Sequence, residues 1–255
     1  MSSGDSAKPD RFPPPQISDL LVLTLCASVV FGFNAPSYQD ALKLYTIGWR
    51  DLLPNLLDES VTALCLFGLI VLSRQAIRRA TYPVAPGHVV LLAMGPFVIF
   101  GLVLGVFRPF YSGRSVLQAI DSGLCAIVLA ASLVYLLIAI RRLEWWWRVS
   151  LYLLASMIAM YLLECALDPA INVGLIGYLY RRNILAAIGS VDALIVLSAC
   201  AAVAIDLRHR IRRDWLHYVG LVVLLSHTSA AMMHWGRITL RVWLGLYYRV
   251  FFWWP

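Results

Sequence analysis

The sequence predicts an all-α fold, a polytopic bundle of seven transmembrane helices, and three observations carry that expectation. Of 255 residues, 61% are hydrophobic and only 14% charged, whereas soluble domains carry about a quarter charged residues. The apolar residues gather into runs of about twenty, the length a helix needs to cross hydrocarbon, and short loops separate them. A spacing also recurs three times: an aspartate, an apolar run, then Ile-Arg-Arg. The copies join Asp58 to Ile77-Arg78-Arg79, Asp121 to Ile140-Arg141-Arg142, and Asp192 to Ile211-Arg212-Arg213, each isoleucine nineteen residues after its aspartate. Nineteen helical residues rise about 28 Å, close to the roughly 30 Å of the bilayer core.

Taken in order, residues 1–16 are polar and proline-rich, which predicts a disordered tail. A first span follows over 17–33, with a poor cleavage site at its end and therefore retained. Residues 34–57 mix tyrosine, tryptophan and charge with leucine, the pattern of a helix or loop at the interface. Further spans are expected at 57–76, 87–107, 116–140, 149–167, 184–205 and 215–236, with Gly95-Pro96 kinking the third. The transmembrane domain is thus 17–236. In residues 237–255, Arg237, Arg241 and Arg249 share one helical face, which predicts an interfacial amphipathic helix.

Each copy of the spacing also has an arginine shortly before its aspartate and an aromatic after its arginine pair. That supports three tandem helix pairs plus one unpaired helix. Lysine and arginine number twelve on the N-terminal side and nine on the other, so the N-terminus is expected in the cytoplasm and the C-terminus opposite. In this topology Arg78, Arg79, Arg141, Arg142, Arg212 and Arg213 face anionic lipid headgroups. The net charge of +7 accordingly points to a membrane surface and not to nucleic acid.

The candidate binding groups are Asp121, Glu164, Asp192, His227 and His234, because an ionisable residue within a span is costly and is retained for a reason. By the ruler, Asp58, Asp121 and Asp192 sit at the outer boundary in the first turns of their helices, where an acid suits the helix dipole. Glu164 lies near the same side. His227 and His234 are seven apart, about 10 Å along one face, too far for a single metal ion. The five cysteines fall in separate runs without metal-ligand spacing, so no disulfide or metal is read from them. No cofactor is implied: a late-span lysine for a Schiff base is absent, and there is no GxSxG, HExxH or Walker pattern.

Two functions follow as expectations. One is a non-catalytic accessory, scaffold or membrane-embedded sensor, whose Trp145-Trp146-Trp147 run and aromatic C-terminus offer a surface to lipid or to a second membrane protein. The other is a transporter of protons, cations or a small solute through an outward vestibule of the acids and histidines.

Overall fold

A computed structural model describes residues 15–43, 49–78, 85–111, 115–171 and 174–232. Every element among them is a helix: α1 (Ile17–Lys43), α2 (Trp49–Arg78), α3 (Pro86–Tyr111), α4 (Ser115–Ile140), α5 (Trp145–Ile171), α6 (Gly174–Arg208) and α7, described over Trp215–Met232. Six of these, α2 to α7, hold apolar stretches long enough to cross a membrane. The apolar part of α1, Ile17–Gly32, is shorter. Residues 237–255, His234 and Arg79 lie outside the described residues.

Chain neighbours pack side by side from α1 through α6, as short connections between antiparallel helices require. Helix α7 then returns against α2, α3 and α5. Phe67 of α2 meets Trp215 at 5.8 Å between rings, and Trp147 of α5 meets His217 edge-on at 5.1 Å. Between α3 and α7 the backbones touch: a Cβ added to Gly87 would fall on the His217 carbonyl, and one added to Gly220 on the Gly87 carbonyl. Only glycine permits that approach.

Burial follows the logic of a lipid-facing bundle. Leu91, Leu136, Leu151, Leu154, Ile195 and Leu224 are sealed between helices, while Ile127, Val134 and Ile138 on one side of α4 are 66%, 56% and 58% exposed. A row of large apolar side chains facing outward suits hydrocarbon, where helix contact relies on packing and not on a hydrophobic drive.

Several helices outrun their expected limits. Residues 34–57, read as an interfacial segment, are largely the end of α1 and the start of α2, with the apolar stretch of α2 beginning at Leu56. Helix α3 runs unbroken through Gly95-Pro96. The correction with most consequence concerns the third ruler. Helix α6 stops at Arg208, and Ile211 lies beyond it. The Ile211 N–H donates to the Asp206 carbonyl at 2.9 Å and the Arg210 N–H to Leu207 at 3.1 Å. Arg210 adopts φ 54°. This is a Schellman ending with a non-glycine residue in the left-handed position. The first two rulers end on helix; the third overshoots it.

Candidate functional site

The polar groups form two levels. At the end of the bundle that carries the Arg-Arg loops, hereafter the arginine end, the organising residue is Asp206, on the last turn of α6. Its Oδ1 accepts from Trp146 Nε1 at 3.0 Å and from an Arg213 terminal nitrogen at 3.1 Å. Its Oδ2 accepts from Trp147 Nε1 at 3.0 Å and from Arg213 Nε at 2.9 Å. Arg213 also reaches Glu144 Oε1 at 3.0 Å. A planar guanidinium meets a carboxylate through two parallel bonds, while both indoles fill the remaining lone pairs. The α4–α5 loop, the head of α5 and the α6–α7 turn are thereby clasped together.

A second chain of bonds joins α3 to α7. Asp214 caps α7, its Oδ1 accepting from the His217 N–H at 2.8 Å, the N-cap to third-residue pattern. The same oxygen meets His88 Nε2 at 2.9 Å. The Ala85 N–H points at His88 Nδ1 at 3.4 Å, which assigns the proton to Nε2, and the ring donates to Asp214. His217 Nδ1 accepts from the Gly87 N–H at 2.9 Å. Both histidines are buried, and each satisfies a helix-start amide that would otherwise lack a partner. Burial by itself would raise the Asp214 carboxyl, but the bonds from His88 and from the His217 backbone hold it below the usual carboxylate range.

Helix α1 is tied in at the same end. Asp19 accepts from the Gln16 N–H at 2.8 Å, and Arg74 of α2 stands 3.6 Å from Asp19 and 3.4 Å from the Ser18 hydroxyl. Arg148 donates to the carbonyls of Leu143 at 2.7 Å and Arg141 at 3.3 Å, closing the end of α4.

The second level lies toward the opposite end. Asp192 is fully buried, and neither carboxylate oxygen has a hydrogen-bond partner among the described residues. Measured from the helix ends, Asp192 is sixteen residues before Arg208 and Tyr161 sixteen after Trp145, which puts both about 24 Å from the arginine end. Asp58 and Glu164 lie about one turn farther out. Acids from α2, α5 and α6 thus lie within about one turn of one another in depth, at the level of Tyr161. Helix α6 begins at Gly174, eighteen residues before Asp192, so Asp192 is far from its first turn.

This corrects the sequence reading of Asp192 as a helix-end acid at the outer boundary. Because α6 ends at the Schellman turn and not at Ile211, the ruler placed Asp192 too shallow. Asp58, by contrast, is exposed near the edge of its stretch. Among the remaining candidates, Glu164 and His227 are half-buried. Asp121 lies on α4 at a position whose side chain is outside the described set, as Arg78 does on α2. Arg141, Arg142 and Arg212 are exposed, but Arg213, read as a lipid contact, is turned inward onto Asp206 and Glu144. Of the tryptophan run only Trp145 is well exposed, at 67%; Trp146 and Trp147 face Asp206.

Sequence reasoning missed Asp206, Glu144, Asp214, His88 and His217. One signal was available: Asp214 precedes His217 by three, the spacing of a cap. The described side chains form no cluster of three metal-ligating groups. A groove of about 450 Å³ opens beside Arg74, lined by Leu66, Leu69, Ile70, Ile77 and Ile99, well away from the acids.

Fold and polar layout together fit a multi-pass helical membrane protein. No family model, curated protein or solved structure matches the chain.

Proposed function

We propose that the chain is a non-catalytic multi-pass membrane protein, an accessory or scaffold subunit or a membrane-embedded sensor. The observation that carries this reading is the mutual commitment of polar groups at the arginine end. Asp206, Glu144, Arg213, Trp146 and Trp147 bind one another, and His88, His217 and Asp214 close the starts of α3 and α7. Such groups hold helices in register; they are not presented to a substrate. Exposed Arg141, Arg142 and Arg212 suit anionic headgroups on the cytoplasmic side, and the outward apolar rows suit lipid or a second membrane protein. The experiment is extraction into lipid nanodiscs from native membranes followed by native mass spectrometry. A stoichiometric complex with a membrane protein supports the subunit reading, and a chain that is always alone overturns it.

A second reading, transport of protons, cations or a small solute, is favoured by one observation. Asp192 is a deep carboxyl without a hydrogen-bond partner among the described residues, at about the depth of Glu164 and Asp58. Intramembrane acids mark proton and ion paths in other bundles. Proteoliposomes loaded with a pH-sensitive dye separate the two. The accessory reading expects no proton flux above empty vesicles, and flux abolished by Asp192→Asn would replace it with the transporter.

A further inference from the structure

We propose that Cys125 and Cys165 form a reversible disulfide that fastens α4 to α5 beside the acid level. The two residues are forty apart in sequence, yet their sulfurs lie 3.9 Å from one another across the packed α4–α5 face. A disulfide needs about 2.05 Å between sulfurs and Cβ atoms about 3.8 Å apart. Closing the remaining gap requires rotation about the two Cα–Cβ bonds.

Position makes the pair chemically reachable. Cys165 lies twenty residues after Trp145 and Cys125 fifteen before Ile140, about 30 and 22 Å from the arginine end. Both are half-buried, and both lie in the half of the bundle away from the arginine end. The other cysteines differ in each respect. Cys26 and Cys65 are sealed in the core, and Cys200 lies well inside its apolar stretch, on an exposed face. A pair placed this way serves as a redox-responsive tie.

The oxidant is a disulfide, such as oxidised glutathione or the disulfide of an oxidoreductase. The thiolate of one cysteine attacks a sulfur of that disulfide, forms a mixed disulfide and releases one thiol. The second cysteine then attacks the mixed disulfide at the first cysteine's sulfur, which forms the Cys125–Cys165 bond and releases the second thiol. Two cysteine thiols are oxidised, one external disulfide is reduced to two thiols, and the cysteine protons pass to the departing thiolates. Closing the bond fixes the segment of α5 that carries Tyr161 and Glu164, coupling the acid level to redox state.

The test uses the full chain in detergent micelles, incubated with oxidised glutathione, blocked with an alkylating agent and mapped by peptide mass spectrometry without reductant. Alkylatable cysteines are expected to fall from five to three per chain. A Cys125–Cys165 cross-linked peptide should appear and should vanish on excess reduced glutathione. Cys200→Ser should keep the cross-link, and Cys165→Ser should abolish it and leave Cys125 joined to glutathione. A wild-type sample that unfolds cooperatively, and so is folded, but keeps both thiols alkylatable or pairs other cysteines overturns the proposal. The wild-type measurement decides the question even if a serine variant fails to fold.

Discussion

Asp206 and Arg213, seven residues apart across the α6–α7 turn, hold each other through two parallel hydrogen bonds of 2.9 and 3.1 Å. Removing one side leaves an under-compensated buried charge, whereas removing both leaves none. Asp206→Asn is expected to destabilise the folded chain by about 3 kcal/mol. The double change with Arg213→Met should cost less than the sum of the singles by roughly 1–3 kcal/mol. Thermal unfolding in micelles measures both. Tryptophan fluorescence reports the clasp directly, because Trp146 and Trp147 both lose a carboxylate partner. Additive single effects would show that the two residues act apart.

The contact between α3 and α7 depends on two missing side chains. Gly87→Ala and Gly220→Ala each drive a methyl group into the backbone of the opposite helix, where no rotamer change relieves the overlap. Each should cost at least about 3 kcal/mol, the upper range for overpacking. The damage should be local first: hydrogen exchange at the Gly87 amide, which donates to His217 Nδ1, should quicken before the rest of α3. Unchanged exchange at that amide would mean that the helices are farther apart than described.

Asp214 gives the arginine end an acid limit. Its carboxyl is held below the usual range by His88 and the His217 amide, against the opposing effect of burial. A carboxyl lowered in the folded state contributes stability above its unfolded value, near 3.9, and loses that contribution as pH falls through the folded value. Stability should therefore be insensitive to this group from neutrality to about pH 5 and should drop below about pH 4. Asp214→Asn should be less stable at neutral pH and should show a shallower fall in acid. An identical acid profile for the variant would remove Asp214 from this role.

What the sequence made legible was set by composition, and what it hid was set by distance along the chain. Hydrocarbon-length apolar runs announce themselves locally, so the helices of the bundle could be placed from Ile17 to Met232. The clasp could not, because Trp146 and Trp147 find Asp206 about sixty residues later, and His88 finds Asp214 well over a hundred later. The arginine pairs look alike as text, yet Arg212 is exposed and Arg213 is bound inside. That difference arises because the turn after Arg208 reverses the chain and aims alternate side chains in opposite directions. The depth of Asp192 was misread for the same cause, since the ruler assumed helix through Ile211.

That turn itself is testable. Arg210 holds φ 54° at the position after α6, a left-handed conformation that costs an L-residue about 1–2 kcal/mol and glycine almost nothing. Allowing for the greater freedom glycine gives the unfolded chain, Arg210→Gly should stabilise the fold by roughly 0.5–1 kcal/mol. Arg210→Val should destabilise it, since a β-branched residue tolerates this region poorly. The pair should move the unfolding midpoint in opposite directions. Equal midpoints would place the end of α6 elsewhere.

Asp192 is the residue whose presence the fold explains least, and that makes its removal informative. A polar group buried without a hydrogen bond costs about 1–3 kcal/mol, and among the described residues both Asp192 oxygens are in that condition. Asp192→Leu, which replaces the carboxyl with a side chain of similar size suited to packed helices, should raise stability by roughly 1–3 kcal/mol. Asp192→Asn should gain less, since the amide is as hard to satisfy there. A gain would mean that the carboxyl is kept at the expense of stability, as expected of a group that binds something in the working protein. A loss comparable to that of Asp206→Asn would mean that Asp192 has a structural partner, and the acid level around Tyr161 would then be a second clasp and not a site.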